Sequence, residues 1–166
     1  MLETRDVGAF YDLEPEDLEK RNAYRKNPAS ALAEGLFTEK RLTNIARSWA
    51  TQVGKAIEYG PTLLGGNYAG VRYESLLQRL EKEIGRVLRF LGADASEETV
   101  KRCIEAGSFE RWSEGRERGK EESSSFYRKD VAGDWKNVFT EDDKRVFKKV
   151  AGELLIRLGY EKDYDW

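Results

Sequence analysis

The chain contains no histidine. That removes the commonest general base and the commonest metal ligand. It excludes a Ser-His-Asp or Cys-His catalytic site built from these residues and leaves a zinc site without its usual donors. There is a single cysteine, Cys103, so no intramolecular disulfide can form and nothing points to an oxidising compartment. Beside Val100 and Ile104, Cys103 reads as a small buried hydrophobe. No apolar run approaches the roughly 18–20 residues that span a bilayer. The N-terminus is acidic and polar rather than patterned as a secretory signal, so a cytoplasmic protein is expected. An excess of positive charge is missing too. The net charge is −2, which argues against a nucleic-acid binder acting through bulk electrostatics, although a local basic pocket remains allowed.

What is present is 166 residues, 39% apolar and 36% charged. This suits one domain, or part of a larger one, with a small core and an extensive solvated surface. Residues 1–37 read as an irregular, charged segment broken by Pro15 and Pro28, with a short helix over Glu16–Arg25 because Pro15 suits a first helical position. A helix is predicted over Thr38–Tyr59, capped by Thr38, with Leu42, Ile45, Trp49, Val53 and Ile57 as its apolar stripe and Gly60-Pro61 as its end. Gly65, Gly66 and Gly70 punctuate the following stretch without the spacing of a phosphate-cradling glycine loop. Ala69–Tyr73 is a short strand candidate. Ser75 then starts a helix carrying Leu76, Leu77, Leu80, Ile84, Val87, Leu88 and Leu91, with Gly92 at the left-handed position that closes such helices. Ser96 opens a further helix that ends near Gly107. Trp112–Ser125 reads as a polar surface loop. Thr140 caps the last helix with Asp143 at the capping-box position, and Gly159 terminates it.

The densest segment is Phe126 to Thr140, Phe-Tyr-Arg-Lys-Asp-Val-Ala-Gly-Asp-Trp-Lys-Asn-Val-Phe-Thr. It has no helical or strand period. Arg128 offers a planar fork of N–H donors and Lys129 a compact charge, a pairing suited to a phosphate-type anion. The alternative reading of the pair is a solvated charged loop.

Three stretches, in order, resemble the cytosolic-type sulfotransferases. The first is Val71-Arg72-Tyr73-Glu74-Ser75-Leu76-Leu77, with its helix closing on Phe90-Leu91-Gly92. The second is Ser108-Phe109-Glu110. The third is the 126–140 segment together with the capped helix and Gly159-Tyr160. The resemblance implies a fold that is mostly α with one or two short strands. It would be the C-terminal part of the α/β phosphate-loop-type sulfotransferase fold, without the phosphate-loop strand and helix. Residues 1–166 would then form a single partial domain: an irregular 1–37 and a helical 38–166 that carries the 3′-phosphate loop 126–140.

Such enzymes move a sulfuryl group from 3′-phosphoadenosine-5′-phosphosulfate (PAPS) to a hydroxyl or amine. By resemblance, Arg128 and Lys129 grip the 3′-phosphate, and Tyr73 packs near the adenine, where the alternative is a half-buried strand tyrosine. Ser108 and Phe109 line the adenine and phosphate side, where the alternative for Ser108 is a helix-end hydrogen bond. Asp130 stands where the family has Gly and brings a carboxylate towards the phosphate. Gly133 and Trp135 read as structural. Lys136 and Thr140 match parts of a dimer-contact motif that Glu141 and Arg145 break. Arg5-Asp6-Val7 resembles another family segment, but Leu2 and Phe10 replace its phosphate-binding Arg and Ser.

No Pro-Lys-Ser/Thr-Gly-Thr loop occurs in the chain, so no catalytic residue and no metal ligand is assigned, and the catalytic Lys and base are expected upstream of Met1. The expected partners are the nucleotide and a small-molecule or glycan acceptor, plus a complementary chain or a second copy covering exposed apolar surface. Three readings stay open: a sulfotransferase whose catalytic half lies elsewhere, a non-catalytic nucleotide-binding or interaction module, and a generic helical domain.

Overall fold

The computed structural model describes residues 13–113, 115, 117, 119 and 131–166. The chain divides into two units, 1–63 with 135–166, and 64–134.

The first unit begins with α1 (Pro15–Lys26) and α2 (Pro28–Glu34), which pack on each other. Pro28 was expected to act as a breaker, and it both ends one helix and starts the next. It keeps Asn27 out of the helical region, at φ −147° and ψ 89°, as expected of a residue before proline. Its own missing N–H costs nothing at a first helical position. Asn27 closes α1 by donating from its N–H to the Ala23 carbonyl at 2.9 Å, and it opens α2 by accepting from the Ser30 N–H at 3.3 Å.

α3 (Glu39–Leu64) follows. Thr38 caps it, its Oγ1 accepting from the Arg41 N–H at 3.1 Å. The helix does not stop at Gly60-Pro61 as the sequence suggested. It runs through Pro61 to Leu64. A proline inside a helix removes one ladder bond and crowds the carbonyl four residues back. Here the Thr62 hydroxyl lies 3.1 Å from the Tyr59 carbonyl and 3.4 Å from that of Glu58, supplying a donor beside the interrupted ladder. The buried face also differs in phase from the expected stripe. Leu42 and Ala46 are fully enclosed, whereas Ile45 is exposed.

α8 (Glu141–Arg157) completes this unit. Its capping box forms as read from the sequence: the Asp143 N–H donates to Thr140 Oγ1 at 3.1 Å and the Thr140 N–H to Asp143 Oδ2 at 2.9 Å. The helix N-termini are tied to the 35–38 turn. Asp17, buried, accepts from the Glu14 N–H at 3.2 Å and from the Thr38 hydroxyl at 2.7 Å. Lys20 Nζ donates to the Gly35 carbonyl at 2.8 Å. Gly35 has φ +82°, and a Cβ there would meet Thr140 Cγ2 at 3.4 Å, so glycine answers both the left-handed backbone and the close approach of the α8 cap. Rings fill the rest. Phe139 stands 5.7 Å from Phe37, 5.8 Å from Phe147 and 5.9 Å from Trp135, and Phe147 lies 6.3 Å from Trp49. Offset and edge-on arrangements of this kind are the favoured ones.

The second unit holds α4 (Tyr73–Gln78), α5 (Leu80–Phe90), α6 (Glu97–Ala106) and α7 (Phe109–Trp112). The single helix expected from Ser75 to Leu91 is two. Arg79, at φ −144° and ψ 47°, interrupts it. Arginine is a good helix former, and nothing local in the sequence marks the break. Gly92 takes its left-handed position at φ +67°. Ser96 caps α6, accepting from the Thr99 N–H at 3.3 Å. The Asp94 carboxyl nearby is held below the ordinary aspartate value, first by the Thr99 hydroxyl and then by the Ser96 backbone and side chain. Cys103, expected to be buried, is exposed. Val100, on the same helix, takes the buried position, because only one face of so short a helix meets α5. Trp112, placed in a loop by its polar surroundings, closes α7 instead.

Among the described residues no strand forms. The strand expected over 69–73 has no sheet to join, and Tyr73 is the first residue of α4.

Candidate functional site

Tyr73, Ser108 and Phe109 all lie in the second unit; Arg128, Lys129 and Asp130 lie outside the described residues. The segment leading to Tyr73 is extended up to Arg72, at φ −99° and ψ 134°. Without a neighbouring strand, its backbone polar groups need other partners. Arg86 supplies one. Its guanidinium donates to the Gly70 carbonyl at 2.8 Å, while its Nε donates to Glu83 Oε2 at 3.0 Å. Glu83 is buried on the face of α5. A carboxylate on the inner face thus orients an arginine, and the arginine pins the entry to α4. Tyr73 itself is 45% exposed.

Sequence reasoning missed Arg86 and Glu83 because charges on an amphipathic helix are ordinarily assigned to its wet side. The available signal was their three-residue spacing, which places them together on a helix surface. Arg86→Ala is expected to release the Gly70 carbonyl and to leave the buried Glu83 carboxylate with only the more distant Arg79, at 4.0 Å. Such a loss costs about 1–3 kcal/mol, and Arg86→Lys should recover only part of it, since one ammonium cannot reproduce the fork. Urea unfolding measures this, and an Arg86→Ala variant as stable as the parent would refute it.

Ser108 caps α7. Its Oγ accepts from the Arg111 N–H at 3.3 Å, the helix-end role that stood as its alternative reading. The hydroxyl proton is not consumed by that bond. Phe109 is buried at 6% exposure, so it belongs to the core of its unit rather than to an open surface. α7 is fixed to the end of α6 by Trp112, whose Nε1 donates to the Ala106 carbonyl at 2.9 Å.

Downstream of the Arg128-Lys129 pair, Gly133 has φ +79°, a conformation that glycine adopts freely. It leads into a 3₁₀ turn over Asp134–Asn137. From there the Val138 and Phe139 N–H groups donate to the Trp135 carbonyl at 3.0 and 2.8 Å. Lys136 Nζ lies 5.6 Å from the Trp135 ring centre, a cation–π distance.

Among the described residues no group of three or more potential metal-ligating side chains is assembled, and no helix is long and apolar enough to cross a membrane.

Several known proteins are similar to part of this chain. Sulfotransferase 1E1 of Cavia porcellus is 34% identical over 97 residues, 50% of this chain and 33% of the relative. Sulfotransferase 6B1 of Danio rerio is 27% identical over 121 residues, 69% of this chain and 41% of the relative. Sulfotransferase 1A1 of Rattus norvegicus is 35% identical over 77 residues, 41% of this chain and 26% of the relative. The matched stretch spans about a third of the length of these relatives. No solved structure matches the chain significantly. The family profile described as the sulfotransferase domain covers residues 19–159. A match of that extent takes in the Tyr73 segment, Ser108-Phe109 and the whole of 126–140, and on it the chain belongs to the sulfotransferase domain family.

Proposed function

We propose that this chain supplies the 3′-phosphate end of a PAPS site and works as part of a sulfotransferase that transfers the sulfuryl group to a hydroxyl or amine acceptor. The observation that carries this is the family match through residues 126–140, which contain Arg128 and Lys129. Their fork and point charge would hold the phosphate by charge-assisted hydrogen bonds. Asp130, beside them, would weaken that grip unless its carboxylate turns away.

The described residues fit the nucleotide in part. Tyr73, exposed over nearly half of its surface, would pack near the adenine. Ser108 retains a hydroxyl donor, and Phe109 would support the wall from behind. The bound nucleotide would bring the sulfuryl group. The chain's own residues would bind and orient it, as in transfer reactions dominated by positioning and charge stabilisation. Since the 166 residues hold neither the phosphate loop nor a histidine, the chain by itself would be inactive.

A second reading is a non-catalytic nucleotide-binding or interaction module. It is favoured by the large apolar side chains left in solvent, among them Leu63 at 77%, Leu91 at 66% and Leu64 at 54% exposure. Exposed apolar side chains mark a partner where they gather into one patch, and Leu63 and Leu64 are neighbours in the chain.

Calorimetric titration with 3′-phosphoadenosine-5′-phosphate tests the proposal. Micromolar binding is expected, weakened about 10–100-fold in Arg128→Ala, since a hydrogen bond to a charged group is worth roughly 1.5–3 kcal/mol. Absence of binding by the folded parent chain would reject the nucleotide reading in favour of an interaction module.

A further inference from the structure

We propose that residues 68–72 form an open strand edge that pairs, antiparallel and centred on Gly70, with the same edge of a second copy of this chain. This surface does not depend on the nucleotide reading above.

The backbone is extended at both ends of the segment, Tyr68 at φ −115° and ψ 127° and Arg72 at φ −99° and ψ 134°, and Gly70 between them is not left-handed. In an extended chain the N–H and C=O of one residue point to one edge and those of the next to the other. The even-numbered edge is tied to its own unit. The Tyr68 N–H donates to the Gly65 carbonyl at 3.2 Å, the Gly70 carbonyl accepts from Arg86 at 2.8 Å, and the Arg72 carbonyl accepts from the Leu76 N–H at 3.1 Å. The odd-numbered edge is open. Among the described residues, neither the N–H nor the C=O of Ala69 or Val71 has a hydrogen-bond partner, and Gly70, Val71 and Arg72 are exposed. A row of unmet donors and acceptors on an extended chain is a template for another strand.

Two features select a second copy as the occupant. The first is register. Aligning Ala69 with the partner's Val71, and Val71 with the partner's Ala69, makes about four main-chain hydrogen bonds and satisfies every open group on both edges. The contact is two-fold and self-complementary. It sets Arg72 opposite the partner's Tyr68, a cation beside an aromatic ring, and keeps the two Arg72 charges apart. The second feature is Gly70 itself. Its backbone does not require glycine, and a Cβ there would meet nothing within 4 Å, so among the described residues no neighbour accounts for it. In the paired register the two Gly70 residues face each other at a non-hydrogen-bonded position, where Cα atoms approach to about 4.5 Å. Glycine inside a strand marks such a close approach of another backbone.

Sedimentation equilibrium of the intact chain tests this, under reducing conditions so that Cys103 links no copies. Weak dimerisation is expected, with a Kd of about 0.1–1 mM, since only a few net hydrogen bonds drive it. Ala69→Pro removes one edge N–H, and by symmetry about half of the pairing bonds. Tyr68 already has the extended backbone that a residue before proline prefers, so the monomer should keep its fold. Dimerisation should weaken at least about tenfold. Ala69→Ser keeps the donor and should stay within about twofold of the parent. Val71→Pro removes the other edge N–H and serves if Ala69→Pro fails to fold.

Amide exchange followed by NMR reads the register. Exchange at Ala69 and Val71 should slow about three- to fivefold as the protein is concentrated to about 1 mM, while Gly70, whose N–H faces the other edge, stays unchanged. A chain that remains monomeric at about 1 mM would overturn the proposal and leave the edge to a strand of another protein. Dimerisation undiminished in folded Ala69→Pro or Val71→Pro would overturn it as well, by placing the contact on a different surface.

Discussion

Leu42→Ala is expected to be the most damaging single truncation in the first unit, lowering stability by about 2–5 kcal/mol. Leu42 is 1% exposed and is the largest side chain among the described residues to be so fully enclosed. Truncation there removes apolar burial and leaves a cavity that its neighbours fill only in part. The core has little reserve. Among the described residues the buried apolar side chains are Ala31, Leu42, Ala46, Val100, Phe109 and Ala151, and three of these six are alanines that contribute little area. For a chain of this length each kcal/mol moves the melting temperature by about 2–4 °C. A shift on the order of 5–15 °C is therefore expected, read by circular dichroism with tryptophan fluorescence alongside. Ile45→Ala is the control. That side chain is 37% exposed, and its loss should cost about 1 kcal/mol or less. Equal costs at the two positions would show that the buried face of α3 has been misassigned.

Asp17→Ala comes next, at about 2 kcal/mol, the sum of a lost helix cap and an abandoned hydroxyl. The carboxylate links the start of α1 to the cap of α3. One oxygen accepts the Glu14 N–H and the other the Thr38 hydroxyl, whose own oxygen accepts the Arg41 N–H. Removing it loosens two helix starts at once. Asp17→Asn keeps the shape but, however the amide is turned, sets an NH₂ against one of two donors. It should recover less than half of the loss. The linkage is separable from simple capping by a double-mutant cycle with Thr38→Val, in which about 1 kcal/mol of coupling is expected. Strict additivity in urea unfolding would mean that the two caps act alone.

Elements whose signal is local were legible in the sequence. Thr140 with Asp143, Ser96 before its helix and Gly92 after its own all form as their chemistry dictates, because caps depend on residues within one turn. Features decided by more distant groups were not. Pro61 reads as a stop, yet the Thr62 hydroxyl supplies a donor to the carbonyls beside it and α3 continues. Pro28 reads as a break, yet at a first helical position it is a start. Periodicity located the apolar side of α3 but not its centre, so Ile45 was ranked with Leu42 while Ala46, small and easily overlooked, lies deeper. A strand was read into 69–73 from residue type alone, and residue type cannot create the neighbour a strand must pair with.

For the site, motif order picked out Tyr73, Ser108 and Phe109, but motifs carry no information on burial. Phe109 is in the core, and Ser108 is committed to a cap. The Glu83–Arg86 brace was invisible because it depends on which face of α5 is covered. Arg128, Lys129 and Asp130 are legible as a motif alone.

The exposed position of Cys103 sets a limit on covalent assembly. A chain with one reactive thiol has a valence of one, so oxidation in air can join two copies and then has nothing left to join. Any larger assembly on a non-reducing gel must therefore be held by other forces. The same uniqueness makes α6 the one place where a thiol-directed dye or spin label can attach, at a stoichiometry of one per chain and without engineering the sequence.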